Sequence, residues 1–131
     1  MPNVVGIGTD IVECLRIAQL IERHGELFLQ RVFTADEIQY CNSRKQVTQH
    51  FAGRWAAKGA VLKALGTAWT REISWLDIEV VAEPAGRPEI MLRGEVADLA
   101  ERGGAEQVLI SIAHCRSHAT AFAMAVRDSL S

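Results

Sequence analysis

The chain has 131 residues, a formal charge of −2, and 49% apolar against 23% charged residues. That length is enough for one compact domain with a real core, and the near-neutral charge excludes a global attraction to nucleic acid or membrane. No apolar run approaches the roughly 20 residues of a membrane-spanning helix, and the opening MPNVVGIGTDIVE lacks the basic and longer apolar regions of a signal peptide.

Residues 3–12, NVVGIGTDIV, are β-branched and glycine-punctuated, which predicts a first strand. Residues 13–31 place Leu15, Ile17, Leu20, Ile21, Leu27 and Phe28 at near-helical intervals, interrupted at Gly25. Thr34-Ala35-Asp36-Glu37 has the form of a capping box and opens a short helix reaching about Ser43. The longest helical pattern covers 46–66, with Gly66 as its C-cap. ISWLDIEVVAE then reads as a strand, AGRP as a turn and EIMLR as the return strand. A second exposed helix over 94–103 stops at Gly103-Gly104. QVLISIAH and HATAFAMAVRD follow as two alternating strands joined near Cys115-Arg116-Ser117. With no repeat or linker, residues 1–131 read as one domain. The order predicts an α+β fold, its mainly antiparallel sheet packed with one long helix and shorter ones.

The three cysteines, Cys14, Cys41 and Cys115, are widely spaced with no C-x-x-C pair, which fits reduced thiols in the cytoplasm. GIGTD lacks the third glycine of a dinucleotide loop and the Gly-Lys-Ser/Thr ending of a P-loop. Asp10, flanked by apolar residues in a strand, needs a cation, hydrogen-bond donors or a proton if it is buried. A strand-end aspartate accepting backbone N–H groups fits that position equally well. His114 and His118 flank a turn rather than sharing a helical face, so nothing supports a zinc site. His114 reads either as a hydrogen-bonded structural histidine or as a phosphate contact.

In the long helix, Phe51, Trp55, Leu62 and Leu65 form an apolar stripe with Arg54 and Lys58 alongside. Ala52, Ala56, Gly59, Lys63 and Gly66 form a neighbouring stripe almost bare of side-chain bulk. A packing seam is the common explanation of such a stripe, while the lysine at its end points toward an anion. Gly59 itself costs the helix roughly 1 kcal/mol relative to alanine. Arg16 and Arg23 share a face of the first helix, followed by Arg31, Arg44 and Lys45, which is either a solvated face or a local patch for an acidic partner.

GIGTDIVE, RVFTADEIQYC, HFAGRWAAKGAVLKALGT, ISWLDIEV and the closing SIAH strand, in this order and spacing, resemble the holo-acyl-carrier-protein synthases, the small bacterial type of 4′-phosphopantetheinyl transferase. The resemblance runs almost end to end. It implies a homotrimer with active sites at the subunit interfaces, and Mg²⁺-dependent transfer of phosphopantetheine from coenzyme A to a serine of acyl carrier protein, releasing 3′,5′-ADP. It implies Asp10 as a magnesium ligand, Lys63 as a contact to the phosphates of coenzyme A, and Arg54 and His114 near its nucleotide end. Arg16 and Arg23 match the basic surface that meets the acidic carrier protein. The chain departs from the family at Gly59, where the family's KEA carries a second metal-binding glutamate and this chain reads KGA. That gap leaves Lys63 without a glutamate four residues before it. It also raises the alternative of a weakly active or non-catalytic relative that binds coenzyme A or the carrier protein. Glu13 is a substitute by proximity in sequence, but along an extended strand it faces away from Asp10.

Overall fold

The computed structural model describes residues 3–84 and 86–127. Along the chain run β1 (Val4–Glu13), α1 (Cys14–His24), α2 (Glu26–Val32), α3 (Ala35–Asn42), α4 (Val47–Ala64), β2 (Ile78–Val81), β3 (Glu89–Leu92), α5 (Gly94–Arg102), β4 (Gln107–His114) and β5 (His118–Val126). The order is the predicted one, with two refinements. Gly25, at φ 54°, turns the chain between α1 and α2, a backbone conformation that glycine adopts without penalty. The stretch predicted as a strand from Ile73 begins instead with one 3-10 turn, Trp75–Asp77, before β2. Ala85 of the AGRP turn and Asp128 of the last predicted strand lie outside the described residues.

The capping box forms as predicted. Glu37 N–H donates to Thr34 Oγ1, and Thr34 N–H donates to the Glu37 carboxylate at 2.8 Å. At the far end of α4, Gly66 takes φ 80° and Thr67 N–H donates back to Leu62 O, closing the helix.

β1, β5 and β4 form one antiparallel sheet in that order, and β2 pairs with β3 in a second. In the first sheet Asp10 stands opposite Ala121, which in turn stands opposite Ile112. The inward face of β5 is built from Ala119, Ala121, Ala123 and Ala125, all buried. Such small side chains let α4 lie close on the sheet. Helix α4 is consequently enclosed along most of its length, from Phe51 to Ala64. A second apolar cluster joins α1, α2 and α3 to the start of α4 through Ile17, Leu29, Phe33, Cys41 and Phe51.

Enclosure captures a lysine. Lys58, beside the apolar stripe in sequence, is fully buried, and its ammonium donates to Val32 O, Trp75 O and Glu37 Oε1 at 2.7, 3.0 and 2.8 Å. Glu37 Oε2 accepts from Val80 N–H, so this carboxylate ties α3, α4 and β2 together. Burial pushes the Lys58 ammonium below the ordinary lysine range, against the pull of Glu37. The opposite face of the sheet is open and partly apolar, with Ile7, Ile11, Leu109 and Phe122 exposed.

Candidate active site

Asp10 reaches α4 because β1 does. Gly6, Gly8 and Asp10 alternate onto one face of the strand, the face toward the helix. A Cβ on Gly6 would overlap Ala64 O; on Gly8 it would overlap Ala60 O and stand 2.6 Å from Ala64 N. Two glycines of GIGTD are therefore what seat the strand on the helix backbone. Two residues further, the Asp10 carboxylate lies directly over Gly59. A Cβ at position 59 would overlap Asp10 Oδ2 and stand 3.0 Å from Cγ. The space a side chain at 59 would need is filled by Asp10.

Lys63, one turn along α4, completes this first cluster. Its ammonium donates to Thr9 O at 3.0 Å and lies 3.5 Å from Asp10 Oδ1, which also accepts from Ile11 N–H at 2.9 Å. Without a glutamate at 59, the lysine pairs with the strand instead. The Lys63 side chain is 54% exposed and that of Asp10 30%. A pair this open contributes at most about 1 kcal/mol to stability, and it is accessible to a charged ligand.

For a magnesium ion, Asp10 supplies hard oxygen donors at an accessible position. Among the described residues no three His, Cys, Asp or Glu side chains gather to hold a metal. Magnesium uses one or two carboxylates and completes its shell with water and substrate phosphates, so these donors suit an ion shared with a phosphate ligand and not a closed protein cage. Glu13, an odd number of residues along the extended β1, has its side chain on the other face.

The second cluster lies on the other side of α4. Arg54 is buried, its guanidinium sits 4.2 Å from the centre of the Tyr40 ring, and its Nε has no hydrogen-bond partner among the described residues. A buried donor left unpaired costs about 1–3 kcal/mol, so it marks a place for an acceptor. His50, one turn before Arg54, packs edge-on against Tyr40 and against His114 at the end of β4, with ring centres 5.7 and 5.2 Å apart. Burial pushes His50 down to about 4, and the positive charges of Arg54, His114 and Arg44 push the same way. Sequence reasoning singled out Arg54 and His114 but missed His50 and Tyr40. The one available signal was the four-residue spacing of His50 and Arg54 on a single helix face.

The two clusters do not meet within the chain. Arg54 and Lys63 are nine residues apart on α4, about two and a half turns, which puts them on opposite sides and roughly 14 Å apart along the axis. β5 likewise separates β1, with Asp10, from β4, with His114.

Arg16 of α1 packs over the Trp55 ring at 6.0 Å and shares with Asp10 a cleft of about 380 Å³ walled by Val12, Trp55 and Trp75. Arg23, two turns on, is exposed. The cysteines are free thiols, and burial raises Cys41 to about 12, leaving it inert as a nucleophile.

The model of the 4′-phosphopantetheinyl transferase superfamily matches residues 6–123. The chain belongs to this superfamily. Holo-[acyl-carrier-protein] synthase of Rhodopirellula baltica is 50% identical to it over 119 residues, covering 91% of this chain and 94% of the relative. That of Protochlamydia amoebophila is 46% identical over 120 residues, covering 92% and 96%. Among solved structures of this transferase fold, the holo-acyl-carrier-protein synthase of Bacillus anthracis, in complex with coenzyme A (3′,5′-ADP), superposes with a TM-score of 0.78. It is 33% identical, covering 96% of this chain and 99% of its own. The transferase match spans both clusters, including Asp10, Arg54, Lys63 and His114.

Proposed function

We propose that this transferase moves the 4′-phosphopantetheine group of coenzyme A to a serine of acyl carrier protein and releases 3′,5′-ADP. The observation that carries this reading is the meeting of Asp10 and Lys63 at one accessible point inside a chain matched to the superfamily almost end to end. In the reaction a bond forms between the serine oxygen and the phosphorus bearing pantetheine as the hydroxyl proton passes to water. The bridging pyrophosphate bond breaks, and its electron pair leaves with 3′,5′-ADP. Negative charge grows on the phosphate oxygens, and the Lys63 ammonium neutralises part of it. Asp10 would hold Mg²⁺, which when bound would supply further charge neutralisation.

Arg54 and His114 bind the nucleotide end of coenzyme A. Lys63 and Arg54 of the same α4 face opposite sides of the helix, so the complete site takes Asp10 and Lys63 from one protomer and Arg54 and His114 from another. A homotrimer with interfacial sites meets that need. The exposed apolar residues Ile7, Ile11, Leu109 and Phe122 on the outer sheet face support burial of a surface between copies. Arg16 and Arg23 receive the acidic carrier protein, and the cleft between Arg16 and Asp10 leads its serine to the phosphates. The chain works as one transferase domain in the cytoplasm, where its thiols stay reduced.

The test is loading of apo acyl carrier protein with coenzyme A and Mg²⁺, read as the mass increase of one phosphopantetheine. Asp10→Ala abolishes loading, and Lys63→Ala lowers its rate about 10²–10³-fold, as for loss of one electrostatic stabiliser. No loading by the unaltered protein at any Mg²⁺ concentration, with several carrier proteins, overturns the reading.

A further inference from the structure

The second cluster holds more positive and protonatable groups than Arg54 and His114 alone. Arg44 follows α3, His50 and Arg54 share one face of α4, and His114 ends β4. Among the described residues none of these four side chains has a hydrogen bond or an ion pair. The other titratable groups facing them are Tyr40 and Cys41 of α3. The nearest buried carboxylate, Glu37, is committed to Lys58, Thr34 and Val80. The cluster therefore gathers cationic and protonatable groups and aromatic edges with no carboxylate among them, around a buried guanidinium Nε that lacks a partner. His50 is central to it, edge-on to both Tyr40 and His114 and one helical turn from Arg54.

We propose that His50 is a direct ligand of the phosphate at the nucleotide end of coenzyme A and takes up a proton as that phosphate arrives. The proposal rests on the reading of Arg54 and His114 as nucleotide-end contacts. A neutral ring between two guanidinium groups and a second imidazole is the state without an anion, because a further positive charge there is repelled and poorly solvated. A phosphate dianion reverses that balance. It accepts from Arg54 and from both imidazoles, and its charge favours an imidazolium at position 50. The binding step thus consumes a proton from solvent, and affinity for the phosphate rises as pH falls.

The experiment is titration calorimetry of the full-length protein with 3′,5′-ADP, at pH 6 and pH 8, in two buffers of different ionisation enthalpy. Proton uptake by His50, held down to about 4 in the free protein, makes binding about tenfold tighter at pH 6 with little gain at pH 8. His50→Phe keeps the ring edge against Tyr40 and His114. It weakens binding about tenfold at pH 6, less than about twofold at pH 8, and abolishes the buffer-dependent heat of proton uptake at this site. His50→Gln, a polar second replacement that cannot take up a proton, behaves the same way. 5′-AMP, which lacks the 3′-phosphate, shows no difference between unaltered protein and variants. Equal weakening at both pH values, or no weakening, overturns the proposal and reduces His50 to a packing ring while carrier-protein loading still stands. Failure of the unaltered protein to bind 3′,5′-ADP at either pH overturns both the proposal and the functional reading.

Discussion

Replacing Gly59 by alanine tests whether Asp10 owns the space above the helix. In an ordinary helix interior Gly→Ala stabilises by about 1 kcal/mol. Here the new Cβ overlaps Asp10 Oδ2, so the carboxylate must turn aside. Forcing a side chain off its rotamer costs of order 0.5–1.5 kcal/mol. Separating Asp10 from the exposed Lys63 forfeits up to about 1 kcal/mol more. The gain and the two losses nearly cancel, so Gly59→Ala alone lies between about 0.5 kcal/mol stabilising and about 1.5 kcal/mol destabilising. In an Asp10→Ala background nothing blocks the Cβ, and the same substitution stabilises by the full helix increment of about 1 kcal/mol. The double-mutant cycle therefore shows a coupling of about 0.5–2.5 kcal/mol, or roughly 2–10 °C in Tm for a chain of this length. Urea denaturation of the four proteins at one fixed protein concentration reads it. If Gly59→Ala stabilises both backgrounds equally, the placement of the carboxylate over Gly59 is wrong.

Gly59→Glu places a second carboxylate beside Asp10. The protein then melts lower than the unaltered one without Mg²⁺, gains more Tm when Mg²⁺ is added, and needs less Mg²⁺ for half-maximal carrier loading; an unchanged magnesium response contradicts this. Lys58→Met leaves the Glu37 carboxylate buried without its cation and destabilises by about 3–5 kcal/mol, part of which returns with Glu37→Gln in the same chain; a loss below about 1 kcal/mol in urea titration refutes the assignment. His50 is held at about 4 against 6.5 in the unfolded chain, so on acidification the unfolded state takes its proton first. The stability linked to this residue is therefore full above pH 6.5 and is lost as pH falls toward 4. His50→Phe flattens that loss, and parallel pH–stability curves for the two proteins would refute it.

Local chemistry was legible in the chain. The capping box of Thr34 and Glu37, the stop at Gly66 and the alternation of the last two strands act over a few residues, and each formed where its pattern predicted. Beside the family's KEA, the KGA triplet read as a carboxylate missing from a helix face. What filled its place was not. Gly6 and Gly8 look like strand punctuation until their contact with the backbone of α4 brings Asp10 over Gly59. Lys58 looks like a stripe-side charge until α3, 21 residues away in sequence, supplies Glu37. His50 carries no motif, and only the end of β4 brings His114 against it. Periodicity and capping reach one helical turn or one strand residue pair along the chain. Which carboxylate, cation and imidazole share a space is decided by how closely the packed elements approach, and here small residues on β1, β5 and α4 set that approach.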